Sequence, residues 1–463
     1  MNNLYKNLFL FFALALMALS SCKVTQRYAS PEVNTQNLYR NLPSGDTSTI
    51  ADLPWKQLFT DTALQALIEE GISNNLDLKI AFTRVQQSEA YYKQSRAAFL
   101  PGVNANAGLT FNKLSDAQGG GFINNNRVFQ AGLSSSWEAD IWGKLGSSKR
   151  AGMASLLQNK AYSRAVQTSI VATIANYYYS LLALDQQLAI TEQTVKNWIQ
   201  SVETMRALKE AAVVTGAAVV QSEANQYAVE VTIPDLKQSI RELENALSIV
   251  LGRAPGAINR SGLDQQSQPS VFNTGIPSQL LSRRPDVQQA EYNFRYYFEN
   301  TNMAKTFFYP SLTITASGGL SNTAIKDFFN PGSVFASLAG GLAQPIFNRR
   351  INKTRLEVAK AAQQEALFSF QNSLLEAGQE VSDAMSDYQT AVEKNSVRSK
   401  QLASLQKSIE FTRELLKYGS ANYTEVINAQ QSYLSAQLNR VNDKQQQLQA
   451  VVELYRALGG GWK

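Results

Sequence analysis

The sequence predicts a mainly helical protein with a small membrane β component, built as two tandem copies of one unit. Three observations carry this. Two long spans, between Pro101 and Pro234 and from Pro345 to the C-terminus, hold no internal proline and so admit very long helices. Two pairs of short segments alternate apolar and polar residues with a period of two. The chain also matches itself at a nearly constant offset, the mark of a duplicated unit.

Taken in order, the chain begins with a processing signal. Lys6 precedes an apolar run from Leu8 to Leu19, too short to span a bilayer, which leads into Leu19-Ser20-Ser21-Cys22. That tetrapeptide resembles the lipobox of bacterial lipoproteins, in which cleavage before the cysteine exposes it to acylation. Cys22 is the one cysteine of the chain. Lys23 stands where an aspartate retains enteric lipoproteins at the inner membrane, so the resemblance implies outer-membrane lipid as the anchor. Residues 1–21 are the signal and 22–60 the anchored segment; a plain secretory signal with a chance cysteine is the alternative.

The first repeat covers 61–258, with a helix, strands at 102–138, a long helix at 143–209 and a returning helix. Val103, Ala105, Ala107, Leu109 and Phe111 alternate with Asn104, Asn106, Gly108 and Thr110, and the partner strand puts Phe129, Ala131, Leu133 and Trp137 on one face. In the long helix, Ala161, Ala165, Ala172, Ala175, Tyr179, Leu182 and Ala189 form a narrow, alanine-rich seam like that of a coiled coil. A linker at 259–276 leads to the second repeat, 277–463, with strands at 310–344 and a long helix at 348–417. There Leu312, Ile314 and Ala316 alternate with Thr313, Thr315 and Ser317. The seam runs through Ala377, Val381, Ala384, Tyr388 and Ala391, is interrupted by Asn395 and Arg398, and resumes at Leu402, Leu405 and Ile409. At 1.5 Å per residue such a helix is about 100 Å long.

Strands of about ten residues suit a tilted membrane crossing. Four of them cannot close a barrel, and hydrocarbon tolerates no unpaired strand edge, so a membrane sheet of this size takes further strands from other subunits.

The repeat aligns Asp77–Pro101 on Asp286–Pro310, Leu133 on Leu338, Arg150 on Arg355, Arg206 on Arg413, and Leu251-Gly252 on Leu458-Gly459. Composition removes much chemistry. With no histidine and one cysteine, histidine triads, histidine-ligated metals, redox pairs and disulfide frameworks are excluded. The 43 Lys and Arg exceed the 37 Asp and Glu, but they are scattered without a basic block, so no nucleic acid is expected; charged residues make up only 17%. No Gly-rich phosphate loop or nucleophile elbow is present. The chain is expected to be no enzyme and to need no cofactor.

This order of elements closely resembles the TolC family of outer-membrane efflux channels, in its lipoprotein branch typified by OprM and NodT-type proteins. Three stretches carry the match: Pro277-Ser278-Gln279-Leu280-Leu281-Ser282-Arg283-Arg284-Pro285-Asp286-Val287; Ala304 with Phe307-Phe308-Tyr309-Pro310-Ser311-Leu312; and Leu454-Tyr455-Arg456-Ala457-Leu458-Gly459-Gly460-Gly461-Trp462. The resemblance implies a homotrimer whose twelve strands form one outer-membrane barrel and whose antiparallel helices form a periplasmic α-barrel. It also implies a passive exit duct, docking with a periplasmic membrane-fusion adaptor and an inner-membrane transporter of RND or ABC type.

Candidate site residues fall in three groups. The turn Tyr418-Gly419-Ser420-Ala421-Asn422-Tyr423 and its counterpart Ala211 to Gly216 would be the adaptor-contacting tips, with glycine permitting the reversal. The segment Thr424 to Gln431 is similar to the stretch that narrows the channel in the family. Asn428 stands where many relatives have an aspartate, and Glu425 either lines this constriction or faces bulk solvent. Glu376, Glu380, Asp383 and Asp387 form an acidic row on one helix face, read as a water-facing strip toward the lumen because a metal site of this kind usually includes histidine. Two other functions compete: a lipid-anchored periplasmic coiled-coil scaffold or adaptor without a pore, and a carboxylate hydrolase.

Overall fold

The computed structural model describes residues 24–40, 48–113, 125–266, 274–275, 277–418 and 422–462. Its main elements are α1 (Thr62–Asn74), α2 (Leu76–Ala97), β1 (Gly102–Lys113), β2 (Asn125–Ala139), α3 (Lys144–Glu210), α4 (Gly216–Glu230), α5 (Thr232–Val250), α6 (Pro285–Thr306), β3 (Ser311–Asn322), β4 (Val334–Ala343), α7 (Ile351–Lys417) and α8 (Tyr423–Ala457). The two long helices have 67 residues each. Candidate residues Cys22, Gly419 and Ser420 lie outside the described residues.

The contacts divide the chain into two compact units, and neither coincides with a repeat. One holds 24–32, 84–159 and 289–370, and the other holds 33–83, 160–288 and 371–463. Each unit therefore draws on both halves of the duplication. The charges divide too, although in sequence they look scattered. From residue 24 on, the strand-bearing unit has 17 Lys and Arg against 10 Asp and Glu, and the other has 24 against 27.

In the strand-bearing unit, four antiparallel strands lie in chain order. Gly102 faces Ser136 across β1–β2, Ala139 faces Leu312 across β2–β3, and Ser311 faces Ala343 across β3–β4. Residues directly opposite share a face. The register thus gathers Val103, Leu109, Leu133, Trp137, Ile314, Leu338 and Leu342 on one apolar, exposed face. The other face is polar and almost uncharged: Asn106 donates to Ser134 Oγ at 2.8 Å, and Ser134 faces Ser317, which faces Ser337. Below the strands, both carboxylate oxygens of Asp140 accept from Leu145 and Gly146 N–H at 2.7 Å and cap α3. The α3 and α6 helices meet through Arg150 and the fully buried Glu299, 2.9 Å apart. Residues 24–30 lie along α6, with Tyr28 edge-on to Phe298 and Gln26 bonded both ways to Asn302.

In the helical unit, α8 is the core. Tyr423, Val426, Ile427, Val441, Leu448, Val451, Val452 and Leu454 are buried, and polar ladders join it to α3. Gln187 donates to Asn442 at 2.7 Å, Asn176 to Glu453 at 2.8 Å, and Gln445 and Gln449 both to Ser180 at 3.0 Å. This is where a Gln- and Asn-rich, weakly charged sequence spends its polarity, because amide donors find amide, hydroxyl and carboxylate acceptors between close helices and few charges are desolvated.

The α7 seam holds as expected: Ala377, Val381, Ala384, Ala391, Leu402 and Ile409 are buried. Its interruption is filled by an ion pair, with Arg398 Nε 2.9 Å from the buried Asp443. In α3 the seam residues Ala161, Ala172, Ala175, Tyr179 and Leu182 are buried as expected, but the narrowness of the stripe is corrected. Burial there is broad from Ile170 to Ala183, and Ala189 is exposed while Thr191, Val195, Trp198, Val202 and Met205 are buried. The reason is that α3 packs on several neighbours rather than along one stripe. The single returning helix expected in the first half is likewise two, α4 and α5, meeting at Val231. Pro234 cannot donate to the carbonyl four residues back and clashes with it, which breaks the helix there.

Candidate functional site

The paired turns and the helix ends that carry them form the candidate site. The α3 helix ends through Ala212, whose φ is 57°. Val213 N–H bonds to Leu208 O and Ala212 N–H to Lys209 O, each at 2.9 Å, which is a Schellman closure with alanine in the left-handed position. This corrects the glycine expectation: Gly216 opens α4, exposed, and does not make the reversal. On the other hairpin, Asn422 caps α8, its side chain accepting from Thr424 N–H at 3.1 Å.

The first turn of α8 is pinned from inside. Tyr423, Val426 and Ile427 pack with Trp198 and Met205 of α3 and Val219 of α4. The Tyr423 hydroxyl lies 3.0 Å from Ser222 Oγ, both buried, and burial holds the phenol above its ordinary pKa. At helical spacing, turning these residues inward turns Glu425 and Asn428 outward, and both are exposed on one face a turn apart. Tyr418 is exposed as well. Beside this cluster runs a groove of about 560 Å³ bounded by Asn197, Thr204, Met205, Arg413, Tyr423 and Gln430. It continues into one of about 390 Å³ reaching Gln186 and Gln437.

In the acidic row, Glu376, Asp383 and Asp387 are exposed, and amides neighbour two of them: Asn372 donates to Glu376 and Gln379 to Asp383. Glu380 departs from the row. It accepts from Arg284 at 2.7 Å and lies 3.3 Å from Arg456, so it belongs to packing rather than to an open strip. Buried Arg284 also pairs with Asp286 and donates to Ala457 O at 2.9 Å. Despite burial, Asp286 and Glu380 hold the Arg284 guanidinium above its usual pKa, and Arg284 keeps the Asp286 carboxyl below the carboxylate range. No group of three His, Cys, Asp or Glu able to hold a metal occurs among the described residues.

Two of the stretches singled out in sequence meet here. Gly459, at φ 89°, sits against Arg283 so closely that a Cβ would fall 2.6 Å from its carbonyl oxygen, and Trp462 Nε1 donates to that oxygen at 3.4 Å. The same closure exists in the first half, where a Cβ on Gly252, at φ 74°, would fall 2.5 Å from Asn74 O.

The fold is that of known channels. The family model for outer membrane efflux proteins matches residues 67–253 and again 276–460. The chain belongs to that family. Over 458 residues this efflux protein is 28% identical to the cation efflux system protein CusC of Escherichia coli O6:H1, covering 97% of both chains. It is 28% identical to the probable outer membrane lipoprotein SilC of Salmonella typhimurium, covering 94% of both. The solved open state of the Neisseria gonorrhoeae MtrE outer membrane channel superposes with a TM-score of 0.85 at 25% identity, over 96% of this chain and 99% of that one. The protein is an outer-membrane efflux channel component that extends into the periplasm, mostly helical, with the tandem-duplicated fold of trimeric channels.

Sequence reasoning found the turns between the helices but missed the cluster that holds them. Its signal was present: Tyr423, Val426 and Ile427 are spaced three and four apart, directly after a capping asparagine.

Proposed function

We propose that three copies of this chain form a passive, lipid-anchored exit duct. It receives cargo from an inner-membrane transporter, of RND or ABC type, through a periplasmic adaptor. The observation that carries this is the four-stranded sheet with one continuous apolar face and two open edges, since neither edge is tolerable in hydrocarbon until other copies pair with it.

Cys22 is the acylated residue in this reading. The lipobox-like run before it and the lipoprotein name of SilC support that assignment. Tyr418, Gly419, Ser420 and Gly216 meet the adaptor. Glu425 and Asn428 line the aperture, where three symmetry-related carboxylates favour cations, and Glu376, Asp383 and Asp387 face the lumen. Cargo is set by the transporter: named relatives of similar likeness serve cation efflux in Escherichia coli and toluene efflux in Pseudomonas putida.

The test is the native mass of the detergent-extracted protein, with the intact mass of its N-terminal peptide and conductance in a planar bilayer. A lipidated three-chain particle that conducts is the expected result. A non-conducting monomer would favour the anchored scaffold instead. Glu425→Gln is expected to lower cation preference, and unchanged selectivity removes Glu425 from the aperture.

A further inference from the structure

The duplication supplies an in-chain template for a contact that a single chain leaves unmade. At the end of β2, Trp142 folds into the crook between α6 and β3, while Ile141 before it stays exposed. There Trp142 lies against Tyr309, with ring centroids 4.9 Å apart, and its Nε1 donates to Pro310 O at 2.7 Å. The repeat offsets turn Ile141-Trp142 into Ile346-Phe347 at the end of β4, and Tyr309-Pro310 into Leu100-Pro101 between α2 and β1. Both halves of this second contact stand open. Ile346 is 99% exposed, Phe347 87% and Leu100 69%. The chain then enters α7 through two successive left-handed residues, Arg349 and Arg350, at φ 53° and 69°. That conformation costs an L-residue about 1 kcal/mol or more and persists only where surroundings impose it.

Resting on the trimeric reading above, we propose that Ile346 and Phe347 clamp a second copy of this chain at its Leu100-Pro101 crook, and that this clamp sets the register of β4 on the neighbouring copy's β1. Carrying the β2–β3 register through the repeat makes the prediction specific. Leu133 faces Gly318 in the chain, so Leu338 faces the neighbouring copy's Leu109, and Ala343 faces its Asn104.

Two independent features agree with this register. Every residue of β4, from Val334 to Ala343, finds a partner between the neighbouring copy's Lys113 and Asn104, within the bounds of β1. Parity is also kept, because Leu338 and Leu109 both belong to the apolar face and Gly341 and Asn106 both to the polar one. A slip of one residue would turn apolar side chains into the bore.

Cysteine pairs test this, with Cys22 alone as the control for background. Phe347→Cys combined with Leu100→Cys, and Leu338→Cys combined with Leu109→Cys, are expected to give reducible covalent trimers on mild oxidation, while either single substitution gives none. Leu338→Cys combined with Gly108→Cys or Thr110→Cys, one residue out of register, is expected to stay uncrosslinked, because opposing strand positions on opposite faces do not meet disulfide geometry. If the native mass is that of a trimer but only an off-register pair crosslinks, or the Phe347–Leu100 pair does not, the clamp is wrong and the trimer stands. If the native mass is that of a monomer, both fall. Ile346→Asp with Phe347→Asp is expected to abolish the detergent-resistant trimer while leaving the helical circular dichroism unchanged; a trimer that persists overturns the clamp.

Discussion

The first half of the chain closes where Asn75 Nδ2 donates to Val250 O at 2.7 Å, and the second closes where Arg284 donates to Ala457 O at 2.9 Å. These positions are equivalent in the repeat, both donors are buried, and each sits beside a left-handed glycine. The return limbs do not match in this way. In the first half the limb is broken at Val231 and largely exposed, and its ion pairs to α3 among the described residues are Arg206 to Glu223 at 2.6 Å and Lys237 to Glu192 at 3.4 Å. In the second it is a single helix of 35 residues with a buried face that runs from Tyr423 to Ala457. Where α8 holds Asp443 against Arg398, the first half has Leu236 and Thr191. The difference teaches that duplication preserved the joints, while the limbs diverged with their neighbours. The α8 helix packs on α3, α7 and α4, and such a position selects burial and internal pairing.

The sharpest break of this comparison is at the cluster beside the α3–α4 turn. Trp198 is buried in the cluster under α8, and its repeat partner Leu405 is only half-buried. Trp198→Ala is expected to cost about 3–5 kcal/mol, and Leu405→Ala about 1 kcal/mol, in thermal or denaturant unfolding of the extracted protein. Equal costs would mean that the halves are packed alike. Next, Asp443→Ala removes the carboxylate partner of the half-buried Arg398 and leaves it its bond to Gln401, and is expected to cost about 2 kcal/mol, whereas Leu236→Ala in the equivalent place costs about 1 kcal/mol.

Smaller and of opposite sign, Ala212→Gly relieves a left-handed alanine and is expected to raise stability by about 1 kcal/mol. A drop on that substitution would show that the turn is not held as described. The smallest effect is a pH dependence carried by Asp61 in the first half. Burial pushes the Asp61 carboxyl up, but bonds from Ser261, Tyr178, Gln266 and Ala63 N–H outweigh it and leave the group below its ordinary value. A lowered carboxylate pKa contributes stability above the unfolded value, near 4, and that contribution disappears as pH falls through the folded value. Asp61→Asn is therefore expected to flatten the acid limb of the stability profile and leave the neutral region sloped as before. The Tyr178 phenol, pushed up to about 12 by burial and by Asp61, adds a loss on the alkaline side as pH rises past 10.

Much of this architecture was legible from residue pattern alone, for a physical reason: element type follows from local periodicity. Alternation placed the four strands within a few residues, proline-free length placed α3 and α7, and three-and-four spacing found the seam from Ala377 to Ile409. The site was legible only in part. That Glu425 and Asn428 share an outward face follows from helical spacing, but what turns them outward is Tyr423 on Trp198, a contact across more than two hundred residues. Glu380 looks in sequence like its acidic neighbours, and only Arg284 and Arg456 mark it as internal.

The sequence by itself determined what repeats every two, every three to four, and every two hundred or so residues: strands, helices and the tandem unit. Local sterics and hydrophobic periodicity decide those before any long-range contact forms. The tertiary structure alone decided how the halves combine. Pairing of β2 with β3 joins the repeats into one sheet, both compact units take segments from each repeat, and Ala212 rather than a glycine makes the first reversal. Those outcomes depend on which surfaces meet, and burial, ion pairing and backbone strain are settled by neighbours far away in the chain.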